Sequence, residues 1–261
     1  MATVWFVGAG PGSPDLITVR GRDLLGEAGA ILYAGSLVSP EHLQFAKQDA
    51  VVADSSGMTL DEMTDWLLEQ SKHTQTLVRL QTGDPAIYGA LAEMSQPLLK
   101  AGLKVKSVPG VPSSLASAAA ALETLTLPET TQTIILTRVE GRTPMPPKEQ
   151  LRDLASHKTT LCIHLSITML AKIREELTAA GWEEDAPVLV VHKASWEGEQ
   201  KIIRGTLADV EDRCKKAGIK SQSMIIVSPA LGACLQQDTP QSKLYNPAFE
   251  HGFRKASKQG Q

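Results

Sequence analysis

Aromatic side chains are scarce in this sequence, only 4% of 261 residues, so any core must be built from Ala, Leu, Val and Ile. Cysteine is scarcer still. Cys162, Cys214 and Cys234 are odd in number and far apart, and no CxxC pair occurs, which excludes a zinc knuckle or a disulfide framework. No apolar run approaches the roughly 18 residues that a membrane-spanning helix needs. A basic excess is also missing. The formal charge of −3 gives no global positive field of the kind that nucleic-acid binders use. The opening MATVWFVGAG runs into a strand pattern without a charged leader and does not read as a signal peptide. These absences set the expectation of a reduced, cytoplasmic protein with neither a nucleic-acid nor a membrane partner.

What is present is alternation. Short apolar runs at Val4–Val7, Ala30–Tyr33, Val51–Ala53, Leu77–Leu80 and Val105–Val108 take turns with helical patterns at Leu16–Leu25, Thr59–Gln70, Tyr88–Lys100 and Leu115–Leu122. Thr59 with Glu62 three residues on is a capping-box pattern, followed by Met63, Trp66 and Leu67 at helical spacing. Such alternation predicts an α/β fold with a parallel sheet and helices on both faces. The pattern breaks at Leu-Pro-Glu-Thr-Thr around residues 126–131, and a second series follows. Its strands are expected at Thr133–Thr137, Leu161–Leu165, Val188–Val191, Lys201–Arg204 and Ser223–Val227, and its helices at Thr168–Ala180 and Leu207–Ala217. The last strands have little helix between them, so this second sheet is expected to be partly antiparallel. The reading is a domain over residues 1–124, another over 125–231, and a flexible polar tail over 232–261 ending in KASKQGQ.

Gly8-Ala9-Gly10-Pro11-Gly12 follows the first strand, where a dinucleotide-binding loop would lie. The fingerprint fails on three points. Its third glycine is Ser13, Pro11 and Pro14 remove backbone donors that a pyrophosphate would need, and no acidic residue lies between Ala28 and Ser39 to hold a ribose. Taken alone these glycines make a tight turn. Two more loops change the picture. Thr82-Gly83-Asp84-Pro85 and Pro109-Gly110-Val111-Pro112-Ser113-Ser114 also follow strands, so three Gly/Pro loops share one sheet edge. Ligands of open α/β sheets bind beyond the carboxyl ends of the strands.

In order, GAGPGSPDLIT, LYAGSLV, DSSGMTLDEM, LQTGDPAIYGA, VPGVPSSLASAAAAL, LTLPETTQTIILTRVEGRTP and KASWEGEQKIIRGTL resemble the tetrapyrrole (class III) methyltransferases over Val4 to about Leu231. The GxGPG and GDPxxYG-like loops mark the superfamily. YAGSLV, MTLDEM and QTxILTRxEGRTP resemble the branch that methylates carbon 11 of precorrin-4 in cobalamin biosynthesis. The resemblance implies a two-domain tetrapyrrole methylase-like fold with a ligand trough between the domains, S-adenosyl-L-methionine as methyl donor, a small-molecule tetrapyrrole as substrate, and a homodimer. Carried over by residue, it implies cofactor contacts from Pro11, Thr82, Gly83, Asp84, Ile87, Tyr88, Pro112, Ser113, Leu165 and Ala194. Pro112 departs from the serine usual in that branch. Tyr33 is followed by Ala34 and Gly35, not by the Asp and Arg of the uroporphyrinogen-III branch.

Methyl transfer needs an in-line approach of a nucleophilic carbon, with no obligatory acid or metal, and no catalytic residue is assigned. Asp84 serves either a ligand or the start of the following helix. Tyr33 and Met58 are candidates for lining the substrate site, against plain core roles. Arg138 and Arg142 suit the acetate and propionate carboxylates of a precorrin, against ordinary solvation in a loop. His157, His164 and His192 fit no metal-ligand spacing, and Trp196 stacks on a flat substrate or packs. Rival functions are methylation at another ring position, a diphthamide- or ribosomal-RNA-methylating relative, and a non-catalytic carrier. A ligand that binds only the folded state raises its melting temperature by mass action. S-adenosylhomocysteine is therefore expected to raise the melting temperature, and NADH and ATP to leave it unchanged; the reverse pattern in a thermal-shift measurement would remove the cofactor assignment.

Overall fold

The computed structural model describes residues 1–236 and 238–256. The chain divides into two units, Met1–Ser117 with His192–Lys201, and Ala118–Val191 with Ile202–Gln261. In the first unit, strands β1 (Thr3–Gly8), β2 (Ala30–Tyr33), β3 (Val51–Asp54), β4 (Thr76–Gln81) and β5 (Lys104–Val108) form a sheet of order β3-β2-β4-β1-β5. Every neighbouring pair is parallel, as the alternation predicts.

Burial on both faces explains the near-continuous apolar character of the central strands. Helix α1 (Val19–Glu27) sets Leu24 and Leu25 against Val7, Ile31, Val78 and Leu80. Helices α2 (Leu60–Gln70) and α3 (Leu91–Lys100) set Leu67, Met94 and Leu98 against Val4, Phe6, Leu32 and Leu77 on the opposite face. Thr59 caps α2 through a complete capping box: its side chain accepts from the Glu62 N–H, and the Glu62 carboxylate accepts from the Thr59 N–H at 2.7 Å.

In this unit two helices start three residues later than expected. Pro14–Leu16 is a single 3-10 turn, and α1 begins only after Thr18, whose hydroxyl accepts from the Gly21 N–H. The helix expected from Tyr88 begins at Leu91, because Tyr88 and Ala90 both hold positive φ, 54° and 51°. The left-handed conformation cannot propagate a right-handed helix. Helix α4 (Ser113–Ala120) follows β5.

The second unit carries β6 (Ile134–Arg138), α5 (Leu151–Ala155), β7 (Thr160–His164), α6 (Leu170–Ala179), β8 (Pro187–His192), β9 (Lys201–Thr206), α7 (Val210–Lys216) and β10 (Ser223–Val227). Its sheet order is β6-β7-β10-β8-β9, with β6 parallel and β10 antiparallel to β7, the mixed sheet that the short connections predict. Leu161, Ile163, Leu177, Val190 and Ile225 are fully buried in its core, and the Trp182 indole donates to the Ala155 carbonyl at 2.9 Å. Of the segment expected to be a flexible tail, 238–256 holds one 3-10 turn, Lys243–Tyr245, and the Arg254 guanidinium donates to the carbonyls of Leu244 and Asn246, each at 2.7 Å. Residues 257–261, the end of KASKQGQ, lie outside the described residues. Among the described residues no helix is long and apolar enough to cross a membrane.

His164 ends β7 with 8% of its surface exposed, and burial pushes its pKa down to about 4. An unfolded histidine takes its proton near 6.5, so below that pH the unfolded chain binds a proton that the folded chain refuses. The stabilising effect is complete above pH 6.5 and is lost as the pH falls toward 4. Urea unfolding is expected to show about 2 kcal/mol less stability at pH 5 than at pH 7 from this residue, and His164→Gln should flatten that slope. An unchanged slope in the variant would show that His164 titrates freely.

Candidate functional site

In a parallel sheet all carboxyl ends lie on one edge. Here β1 stands between β4 and β5, so the three Gly/Pro loops are immediate neighbours. The first leads to α1 on one face of the sheet and the second to α3 on the other, which opens a crevice between adjacent strands.

The loops are joined backbone to backbone. The Gly83 N–H donates to the Gly10 carbonyl at 2.8 Å, the Gly10 N–H to the Gly83 carbonyl at 3.3 Å, and the Ala9 N–H to the Gln81 carbonyl at 2.7 Å. A Cβ at Gly8 or at Gly110 would collide with the Gly83 carbonyl and with the other glycine's backbone. Gly83 itself holds φ +60°, and a Cβ there would lie 3.6 Å from the Pro112 Cα and 3.8 Å from the Ser113 nitrogen. The residues expected from Pro11, the Thr82–Asp84 loop and the Pro112–Ser113 loop are thus brought to one place.

Asp84 has a role that neither sequence reading contained. Its carboxylate accepts from the Ala86 N–H at 2.8 Å and, 26 residues away, from the Gly110 N–H at 3.0 Å. It clamps the second loop to the third, and it does not cap a helix at Ile87. Beyond it, Tyr88 is 50% exposed, and the Gln81 side-chain amide donates to the Gly89 carbonyl.

A fourth segment joins them. Residues 192–201, distant in sequence, belong to this first unit. The Trp196 indole donates to the Pro11 carbonyl at 3.2 Å, and the Ser195 hydroxyl accepts from the Ser13 N–H at 3.0 Å. A Cβ on Gly12 would run into the indole ring. Lys193 sits 4.8 Å above that ring and pairs with Glu199. Trp196 therefore packs, and the last glycine of GAGPG exists to admit it. This residue also places Ala194, 6% exposed, in the segment that docks on the first loop.

The loops after β2 and β3 occupy the other half of the same edge. Tyr33 packs against the apolar layer under α1, whereas Met58 packs against the layer under α2 and α3. The two candidates thus lie on opposite faces. Sequence reasoning missed Arg79, which sits within the apolar run of β4 and is 5% exposed. Its guanidinium donates to the Ser55 hydroxyl at 2.8 Å and to the Leu32 carbonyl at 3.4 Å. Burial pushes its pKa down to about 10, with the charge of Asp54 opposing the fall. A charged residue in an otherwise apolar strand was the available signal.

In the second unit, Arg138 and His164 pair across β6 and β7, and Leu165 follows at φ +54° with 65% of its surface exposed. Arg138 donates to the carbonyls of Thr143 at 3.2 Å and Pro144 at 2.7 Å, closing its own loop. Arg142 is exposed at the tip of that loop.

The family profile described as tetrapyrrole (corrin/porphyrin) methylases matches residues 3–211. The cobalt-precorrin-4 C(11)-methyltransferase of Priestia megaterium is 47% identical over 255 residues, 98% of this chain and 98% of that protein. A solved cobalamin biosynthetic enzyme, cobalt precorrin-4 methyltransferase, superposes with TM-score 0.85 at 47% identity, covering 88% of this chain and 95% of that one. The uroporphyrin-III C-methyl transferase of Thermus thermophilus, solved with S-adenosyl homocysteine, gives TM-score 0.74 at 28% identity, covering 88% and 99%. The chain belongs to the tetrapyrrole methylases.

Proposed function

We propose that this chain transfers the methyl group of S-adenosylmethionine to carbon 11 of precorrin-4, with or without its cobalt, in cobalamin biosynthesis. The observation that carries this reading is the 47% identity, over nearly the full length of both chains, to a protein of that name. The uroporphyrin-III enzyme shares the fold at 28% identity. In this chain Gly35 stands after Tyr33-Ala34, where any Cβ would collide with the Asp54 carboxylate. The arginine of the uroporphyrinogen-III branch could be placed there only by displacing that carboxylate, which accepts from the Gly35 N–H.

The residues of the first unit suit an S-adenosyl ligand. Two prolines and paired glycine amides leave few donors for a phosphate, and the ligand has none. Its sulfonium supplies an electrophilic methyl. Gly83, Pro112 and Ser113 offer a surface of backbone and small side chains, and Pro11, Thr82, Ile87, Tyr88 and Ala194 are proposed as further contacts. Leu165, on the second unit, is proposed as a further cofactor contact. Asp84 acts indirectly by fixing the third loop through Gly110. Tyr33 and Met58 are proposed to flank the substrate from opposite faces of the β2–β3 half of the edge. Arg142 is proposed to meet a precorrin carboxylate from a loop that Arg138 holds closed.

The precorrin carbon is enamine-like and nucleophilic in itself, so the protein's task is alignment. Holding two reactants in line is worth up to roughly 7–11 kcal/mol. A rigid backbone crossing of three loops suits that task better than a mobile side chain. We further propose a cytoplasmic homodimer. Methylation elsewhere on the ring and a carrier role are separated from this reading by product mass and by turnover with isotope-labelled S-adenosylmethionine.

Gly83→Ala is expected to weaken S-adenosylhomocysteine binding at least tenfold in calorimetric titration, and to cost roughly 1–2 kcal/mol of stability from the positive φ. Gly102 provides the control: it holds φ +83° with nothing within 4 Å of an added Cβ. Gly102→Ala should lose similar stability and keep full affinity. Equal affinities in the two variants would make the Thr82–Asp84 loop a mere turn.

Arg142→Ala is expected to raise the KM for the tetrapyrrole by about tenfold or more, the scale of a charged hydrogen bond worth roughly 1.5–3 kcal/mol. The affinity for S-adenosylhomocysteine should stay at the wild-type value. An unchanged KM removes Arg142 from the substrate contacts.

A further inference from the structure

Burying a guanidinium costs several kcal/mol of desolvation, and replacing a buried ionic group by an apolar side chain of similar volume is often neutral or stabilising. Arg79 bears this cost incompletely compensated, since its Nε is buried without a hydrogen-bond partner. Stability therefore gives little reason for an arginine in this strand. What it touches supplies one.

Arg79 reaches from β4 past Leu32 of the neighbouring β2 to Ser55, just beyond the end of β3. Its Nη1 holds the Ser55 hydroxyl at 2.8 Å, and that hydroxyl in turn donates to the Tyr33 carbonyl at 3.1 Å. The Ser55 N–H donates to the same carbonyl at 2.9 Å. Next to Ser55, Asp54 accepts from the N–H groups of Gly35 and Ser56, each at 2.9 Å, so one carboxylate ties the loop after β2 to the loop after β3. The Ser56 N–H, then that of Gly35, then the Ser56 hydroxyl and last the charge of Arg79 hold the Asp54 carboxyl below the usual range, against a rise from burial. Met63, in the first turn of α2, lies 3.4 Å from Nη2. The network stays within the β2–β3 half of the edge; the Gly10–Gly83–Gly110 crossing is held by separate bonds.

We propose that Arg79 is a positioning residue for the tetrapyrrole, acting through Ser55 and Asp54 to hold the loops that carry Tyr33 and Met58, and independent of the cofactor loops. This rests on the methyltransferase reading above for its substrate, but the loop geometry it invokes can be measured without one. Arg79 is not a catalytic residue. Its removal misplaces the acceptor ring and leaves the methyl donor where it was.

The test uses Arg79→Met, Arg79→Lys and, should the first fail to fold, Ser55→Ala, which removes the guanidinium's hydroxyl partner and leaves the arginine. With S-adenosylmethionine saturating, Arg79→Met is expected to raise the tetrapyrrole KM at least tenfold while kcat stays within about threefold. S-adenosylhomocysteine should bind within twofold of wild type. Arg79→Lys keeps the charge without the fork and should recover part of the KM. Amide hydrogen exchange on the same variants should quicken in residues 34–38 and 55–59 and stay unchanged in 8–12 and 82–88. A wild-type KM, or a parallel loss of cofactor affinity, overturns the proposal. So does exchange that is unaltered, or quickened throughout the unit. If the wild-type protein transfers no methyl group to precorrin-4, the assigned reaction falls, and the exchange pattern alone decides the role of Arg79.

Discussion

At the carboxyl edge of the first sheet three chain segments run so close together that no side chain fits between them. Gly8, Gly83 and Gly110 come from three different loops, and a Cβ on Gly8 or on Gly110 would overlap the Gly83 carbonyl. The segments reach this approach because β1 lies between β4 and β5, so their ends emerge side by side. Once there, they satisfy each other: Gly10 and Gly83 exchange backbone hydrogen bonds, and Asp84 takes the Gly110 N–H. Much of the rest follows from this crossing. It leaves a rigid rim of glycine and proline, with few side chains to move, and chemistry that depends on alignment is served by such a rim.

The same edge divides its work. Backbone pairing with one carboxylate, that of Asp84, holds the β4-β1-β5 half, whereas a network of side chains adds to the backbone bonds of the β2-β3 half. There Arg79, Ser55 and Asp54 link loops whose paths would otherwise be set only by their own turns. On the proposed reading, this division matches the two reactants of a methyl transfer. An adenosyl ligand common to the family would meet backbone, and a ring that differs between its branches would meet loops that side chains can re-aim.

Glycine usage reads differently in this light. Gly12 is not a phosphate-binding glycine that has lost its partners; it is the flat surface on which Trp196 lies. Gly35 is the donor to Asp54, at a distance that excludes a side chain. Each of these positions is defined by a partner far away in sequence, and none could be given its reason from the loop alone.

Local chemistry was legible in the sequence. The α/β alternation, the parallel first sheet, the mixed second sheet and the Thr59–Glu62 cap all follow from periodicity and from residue types a few positions apart. The glycine loops and their shared edge were also readable, because strand order in a parallel sheet puts every carboxyl end on one side. The start of α3 was not, since neither Tyr88 nor Ala90 is a residue type that signals the positive φ it holds. Nor were the clamp from Asp84 to Gly110, the docking of Trp196 on Pro11, or the reach of Arg79 to Ser55. These pairs are 26, 185 and 24 residues apart. Sequence fixes such contacts only by way of the whole fold: hydrogen bonds act over about 3 Å, and only the packed sheet brings these groups within that reach.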